Sequence, residues 1–167
     1  EAVERLKAET GLQAIYGQLC NVVVEEEVQA LIAAAEQTLG GVDVLINNAG
    51  MFSFCDVLNT PDERFVETIT LHDITNTLLC KYFAADMASR GGGYILNMSS
   101  YSIWMPWPGL SLYSASKAYL KSFSIAFAKE VRDKGVYVTA VCPAGIATDL
   151  YGLSKKWQKI GLKIHAL

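Results

Sequence analysis

The chain has 167 residues, 51% hydrophobic and 19% charged, with a net charge of −3 at pH 7. That balance excludes a disordered chain and supplies one domain with a sizeable core. Beyond Lys155-Lys156 there is no basic cluster to dock phosphates, no apolar stretch spans a membrane uninterrupted, and two histidines among scattered cysteines give no metal-ligand spacing, so nucleic-acid, membrane-spanning and metal-centred functions are not expected.

Glu1 to Lys7 is charged and helix-forming, which is not the pattern of a signal peptide. Residues 1–10 read as the end of a helix that Gly11 caps. Leu12 to Cys20 is a mixed apolar run that predicts a strand. Glu25 to Leu39 places Val28, Leu31, Ile32 and Ala35 at helical spacing, with acids in the first turn, and Gly40-Gly41 ends it. Val42 to Ile46 is almost continuously apolar, which predicts a strand buried on both faces, and Asn47-Asn48-Ala49-Gly50 closes it as a polar turn.

Thr60 and Pro61 predict a helix start, Thr as cap and Pro in first position, with a long apolar continuation through Met87. Gly91-Gly92-Gly93 is a break. Tyr94 to Met98 reads as a second buried strand, Ser114 to Lys134 as an amphipathic helix, and Val136 to Cys142 as a further buried strand. From Pro143 onward the pattern is irregular and then weakly helical. Strands alternating with helices at this spacing predict an α/β fold with a doubly wound parallel sheet. Cys20, Cys55, Cys80 and Cys142 contain no C-x-x-C, which predicts reduced thiols in a cytoplasmic protein.

Tyr113 and Lys117 stand at i and i+4 on one helix and share a face. A phenol is a weak acid, and a neighbouring ammonium lowers its pKa by stabilising the phenolate. Ser100, thirteen residues upstream at the end of a strand, can hold a carbonyl oxygen while the phenol exchanges a proton with it. The constellation predicts interconversion of an alcohol and a carbonyl.

Five features in order resemble the short-chain dehydrogenase/reductase family: Asn47-Asn48-Ala49-Gly50 after a strand, Ile95 to Ser100, Tyr113-x-x-x-Lys117, a strand ending Cys142-Pro143, and Thr148 five residues further. The ordered set covers roughly residues 10–150. The resemblance implies a Rossmann-like domain with NAD or NADP as cofactor and a small-molecule alcohol or ketone as substrate, of the steroid or 3-oxoacyl type. It implies Tyr113 as general acid/base and Ser100 as the group that orients the substrate carbonyl. It implies Lys117 as the group that acidifies Tyr113 and bonds the nicotinamide ribose. Asn21, Asn47, Ala49 and Gly50 would border the adenosine half, Ile146 and Thr148 would approach the nicotinamide, and Pro143 and Gly145 would also contact the cofactor. A homodimer or homotetramer is implied through the two long helices.

The chain departs from the family in four places. The asparagine of the helix before Ser100 falls on His72, with Asn76 one turn later as the fallback. An imidazole there can relay a proton or simply pack. The usual Pro-Gly appears as Pro143-Ala144-Gly145, and an aspartate that faces the adenine is Asn21. The first strand, the glycine-rich phosphate turn and the second strand are expected before Glu1, and the seventh strand after Leu167, so residues 1–167 read as one partial domain of a longer chain. Without its neighbours the Val42 to Ile46 strand would form a bare edge. The competing reading is a catalytically silent relative or fragment that serves as an oligomerisation module. Trp104 to Trp107 either line a hydrophobic substrate mouth or pack as an ordinary loop. The apolar helix Leu71 to Met87 and the face of Phe123 and Phe127 read as core or subunit contact.

Overall fold

A computed structural model of the protein describes residues 1–145. Helix α1 (Ala2–Thr10) ends at Gly11 and α2 (Glu25–Leu39) at Gly40, each glycine in the left-handed conformation that a helix end requires, at φ 73° and 70°. Both predicted stops are therefore where the glycines stand.

Three strands follow among the described residues: β1 (Val44–Asn47), β2 (Gly93–Met98) and β3 (Val136–Val141). They form one parallel sheet in the order β1-β2-β3, with Asn47 opposite Asn97. Between them run α3 (Asp62–Ile69), a π-helical turn (Thr70–Thr75), α4 (Asn76–Ser89) and α5 (Ser111–Val131). Parallel strands joined through helices give the α/β fold that the alternation predicts.

The core lies on one face of the sheet. Val28 and Ile32 of α2, Phe83 and Met87 of α4, Ile95 of β2 and Val136 of β3 share one buried cluster. Complete burial of a side chain the size of Met87 or Ile95 contributes roughly 1.5–3 kcal/mol. The opposite face is open among the described residues, which corrects the expectation of strands buried on both sides. Val44 is 56% and Ile46 59% exposed, and Tyr94 stacks on its register partner Tyr137 at 5.5 Å in the open. The alternation follows from the helices: α2, α4 and α5 all contribute to the same cluster, which leaves Val44, Ile46, Tyr94 and Tyr137 exposed on the other face.

The segment Leu12 to Cys20, expected as a strand, has no regular structure. A strand exists only through backbone bonds to a neighbour, and none of the described segments pairs with it. The helix expected from Thr60 begins two residues later. The Thr60 hydroxyl bonds Asp56 O at 2.6 Å, spent on the preceding 3-10 turn, and Pro61 occupies the cap position. Its continuation is not one helix either, because the π-helical turn interrupts it at Thr70–Thr75. The Asn76 side-chain amide donates back to Leu71 O and His72 O, at 3.3 and 2.6 Å, satisfying carbonyls in the widened turn. The helix expected over Ser114 to Lys134 starts at Ser111 and passes into a 3-10 turn at Arg132.

Candidate active site

The carboxyl ends of β1 and β2 meet the N-terminal half of α5. A buried polar ladder fixes them there. Asn47 Nδ2 donates to Asn97 Oδ1 at 2.8 Å, and Asn97 Nδ2 donates to Ser124 Oγ at 2.8 Å. Ser124 Oγ in turn donates to Leu120 O at 2.6 Å. Asn97 is wholly buried, so each of these bonds replaces one that water would otherwise make. The ladder ties β1, β2 and α5 together under the site.

Tyr113 and Lys117 lie on the inner face of α5, each 5% exposed. Lys117 Nζ stands 5.9 Å from the centre of the Tyr113 ring, so the two side chains share a side, as their spacing predicts. Nζ donates to Met98 O at 2.9 Å, and Ser99 Oγ donates to Lys117 O at 2.6 Å. Both bonds stitch the end of β2 to α5. Ser99 is thereby spent on the backbone. Ser100 Oγ accepts from Ser102 N at 3.1 Å, and its own proton goes to none of the described residues. The structure thus separates two adjacent serines by role, with Ser100 the one able to donate to a ligand.

Burial lowers the Lys117 pKa from its ordinary 10.5 to about 8, and the carboxylate of Asp73 opposes that fall. Burial raises Asp73 to about 6, opposed by Lys117, and Asp73 Oδ1 is buried without a hydrogen bond. Burial, and then the Lys117 charge, lower His72 to about 3. His72 is a neutral imidazole at ordinary pH, which does not favour a proton relay. Its Nε2 accepts from Met51 N at 3.1 Å and its Nδ1 meets Ser116 Oγ at 2.8 Å. Packing was one of the two readings open for this position, and the contacts fit it.

His72 and Asp73 pull stability in opposite directions. The folded His72 refuses a proton that the unfolded chain accepts below about 6.5, so stability is lost as pH falls from there toward 3. The folded Asp73 holds a proton up to about 6 that the unfolded chain releases above 3.8, so stability is lost as pH rises across that range. Asp73→Asn is therefore expected to melt higher than the unsubstituted protein at neutral pH and to lose that advantage in acid. His72→Gln is expected to gain relative stability in acid. Thermal melts of both across pH check the pair.

The turn after β1 closes over this cluster. A Cβ on Gly50 would stand 3.2 Å from His72 Nε2 and 3.3 Å from Lys117 Nζ. Gly50→Ala is expected to displace both nitrogens, costing about 1–2 kcal/mol of stability, which a thermal melt reads. Phe52 packs edge-on against Tyr113 at 5.1 Å between ring centroids. Cys55 N donates to Gly109 O at 2.9 Å, joining the loop after Gly50 to the loop before α5.

The remaining predicted residues fall as follows. Asn47 is buried, with its amide nitrogen committed to Asn97 and, at 3.4 Å, to Cys80 Sγ. Asn47, Asn48, Ala49, Val22, Thr75 and Asn76 line part of a cavity of about 300 Å³ beside β1. Asn21 is exposed and shapes the turn before α2, its Oδ1 accepting from Val23 N at 3.4 Å and its backbone N–H donating to Glu27 Oε2 at 2.6 Å. Pro143 O accepts from Tyr101 N at 2.8 Å, which holds the end of β3 beside Ser100, and Gly145 is the last described residue. Ile146 and Thr148 lie outside the described residues. Asp73, Ser116 and Phe52 were not among the predicted residues. Asp73 carried a local signal, an acid next to the substituted family position; Ser116 and Phe52 carried none.

Residues 1–159 match the sequence model of the short chain dehydrogenase family. The chain belongs to that family. It is 34% identical over 148 residues to the bovine dehydrogenase/reductase SDR family member 4, an alignment covering 88% of this chain and 52% of the relative. Among solved structures it is similar to a short-chain dehydrogenase from Sphingobium yanoikuyae in complex with NADPH, with 25% identity, a TM-score of 0.83, and coverage of 99% of this chain and 70% of that one. It is also similar to L-sorbose reductase from Gluconobacter frateurii, complexed with NADPH and L-sorbose, with 28% identity, a TM-score of 0.82, and coverage of 98% and 59%. The chain spans about half the length of the bovine relative. No helix among the described residues is long and apolar enough to cross a membrane.

Proposed function

We propose that this short-chain dehydrogenase relative interconverts a carbonyl compound and its alcohol with NAD or NADP as hydride carrier. The observation that supports the reading is the buried Lys117 ammonium held beside the Tyr113 ring, with the Ser100 hydroxyl at the adjoining strand end donating to none of the described residues. The bound nicotinamide supplies or accepts the hydride. In reduction, Ser100 donates a hydrogen bond to the carbonyl oxygen and aligns it. Tyr113 delivers its phenolic proton to that oxygen as charge develops there. Lys117 stabilises the phenolate left behind, and the reverse sequence serves oxidation.

The residues present fit the cofactor. Gly50 keeps the backbone close to Lys117 with no side chain between, and the cavity along Val22 and Asn47 to Ala49 offers the adenosine half an apolar wall. Phe52 against Tyr113 gives the substrate side an apolar edge, which favours a carbonyl on a hydrophobic body. The chain forms part of a single dinucleotide-binding domain in this reading. Tyr119, 42% exposed and stacked on Phe123 at 6.0 Å, stands at the edge of the α5 face that a second copy would cover.

Hydride transfer from NADPH and NADH to a panel of cyclic and aryl ketones in the full-length protein tests the reaction. Turnover with either cofactor supports it. Cofactor binding without turnover on any carbonyl or alcohol would favour the silent relative instead.

A further inference from the structure

We propose that His72 is a positioning residue: its imidazole locks the turn after β1 onto the catalytic face of α5. The proposal rests on the reading above only for what the lock serves. Its geometry stands apart.

Met51 N–H donates to His72 Nε2 at 3.1 Å. A nitrogen that accepts carries no proton, so the ring proton sits on Nδ1. Nδ1–H then donates to Ser116 Oγ at 2.8 Å, and the Ser116 hydroxyl proton goes to Tyr113 O at 2.9 Å. His72 and Ser116 each give one bond and receive one, so the chain has a single polarity from the Met51 N–H to the backbone carbonyl of Tyr113. The imidazole is wholly buried and Ser116 is 3% exposed, so the bond between them is shielded from water.

The chain links parts that the sequence holds far apart. Met51 directly follows Gly50, whose open side faces both His72 Nε2 and Lys117 Nζ. Phe52, the next residue, packs on the Tyr113 ring. The turn is thus gripped at Met51 by its backbone and at Phe52 by its side chain, with His72 supplying the polar grip. The widened π-helical turn carries the ring that bridges Met51 and Ser116. The groups that electrostatically face His72 are Lys117, which disfavours its protonation, and the Tyr113 ring at 6.0 Å; Asp73 stands beside it on the same turn. An imidazole so held keeps one tautomer and moves no proton during a reaction.

Two independent readouts test the lock. In the folded chain, imidazole 15N–1H correlation spectra are expected to show His72 protonated on Nδ1, bare on Nε2, and unchanged between about pH 5 and about pH 9. The opposite tautomer, or a titration near 6.5, would overturn the proposal. In the full-length protein, NADPH and NADH affinities are read by fluorescence titration. His72→Gln sets an acceptor and a donor at comparable spacing, so it is expected to stay within about threefold of the unsubstituted affinity, whereas His72→Phe fills the space without polar atoms and is expected to weaken binding by about tenfold. Unchanged affinity in His72→Phe would overturn the proposal. Should that variant fail to fold, Ser116→Ala removes one link and keeps the space; an affinity loss of more than about fivefold is then expected, and a change within about threefold overturns the lock. The tautomer is read without any turnover. A protein with the Nδ1–H signature and no reductase activity would refute the proposed reaction and leave the lock standing.

Discussion

If the proposed reaction is right, Tyr113→Phe is expected to lower carbonyl reduction by about 10²–10⁴-fold, because it removes the proton that the proposed step delivers. The ring keeps its packing against Phe52 at 5.1 Å, and the cation beside it stays where Met98 O holds it. Cofactor affinity should change little, since the phenol's main work lies in the transition state. Single-turnover hydride transfer with the full-length variant, alongside a cofactor titration, reads both numbers. Retention of more than a few per cent of the rate would give the proton to another group.

Lys117→Met separates catalysis from stability even more sharply. Activity is expected to fall at least about 100-fold, because in the proposed reaction the phenolate loses the neighbouring charge that stabilises it. Stability is expected to hold or rise. Folding depresses the Lys117 pKa from 10.5 to about 8, so the charged form is penalised in the folded state below that value, by something on the order of 3 kcal/mol. The penalty is fully present below pH 8 and is relieved as pH rises toward 10.5. The unsubstituted protein should therefore gain stability across that alkaline window, and the methionine variant, which has nothing to titrate there, should not. Thermal melts at neutral and alkaline pH distinguish the two. A variant that loses activity and stability together would mark Lys117 as a structural anchor through Met98 O alone.

The two cases share a cause. The strand end and the helix are fastened by bonds that spend Ser99, Met98 O and the Asn97 ladder, which leaves Ser100, Tyr113 and Lys117 grouped at low dielectric. Such a site keeps an ion costly and therefore reactive.

Local spacing made much of this legible. Glycines at helix ends, apolar residues three and four apart in α2, and a tyrosine four before a lysine are all settled by neighbours along the chain. The strand β2 and the start of the site at Ser100 followed from a short apolar run ending in hydroxyls. The burial of the strands did not follow. Val44 and Tyr94 look like core in the sequence and stand open in the fold, because burial depends on what covers a face. Leu12 to Cys20 has the composition of a strand, but a ladder also needs a partner.

His72 shows the division most clearly. The sequence by itself determined that an imidazole occupies the helix before Ser100, and that Tyr113 and Lys117 sit one helical turn apart. Only the tertiary structure decided what that imidazole does. Its partners, Met51 and Ser116, lie 21 and 44 residues away, and its burial follows from the packing of the π-helical turn against α5. A periodic pattern encodes which way a side chain faces; it carries no information on which distant donor or acceptor will meet it, and for a buried titratable group that meeting sets both charge and role.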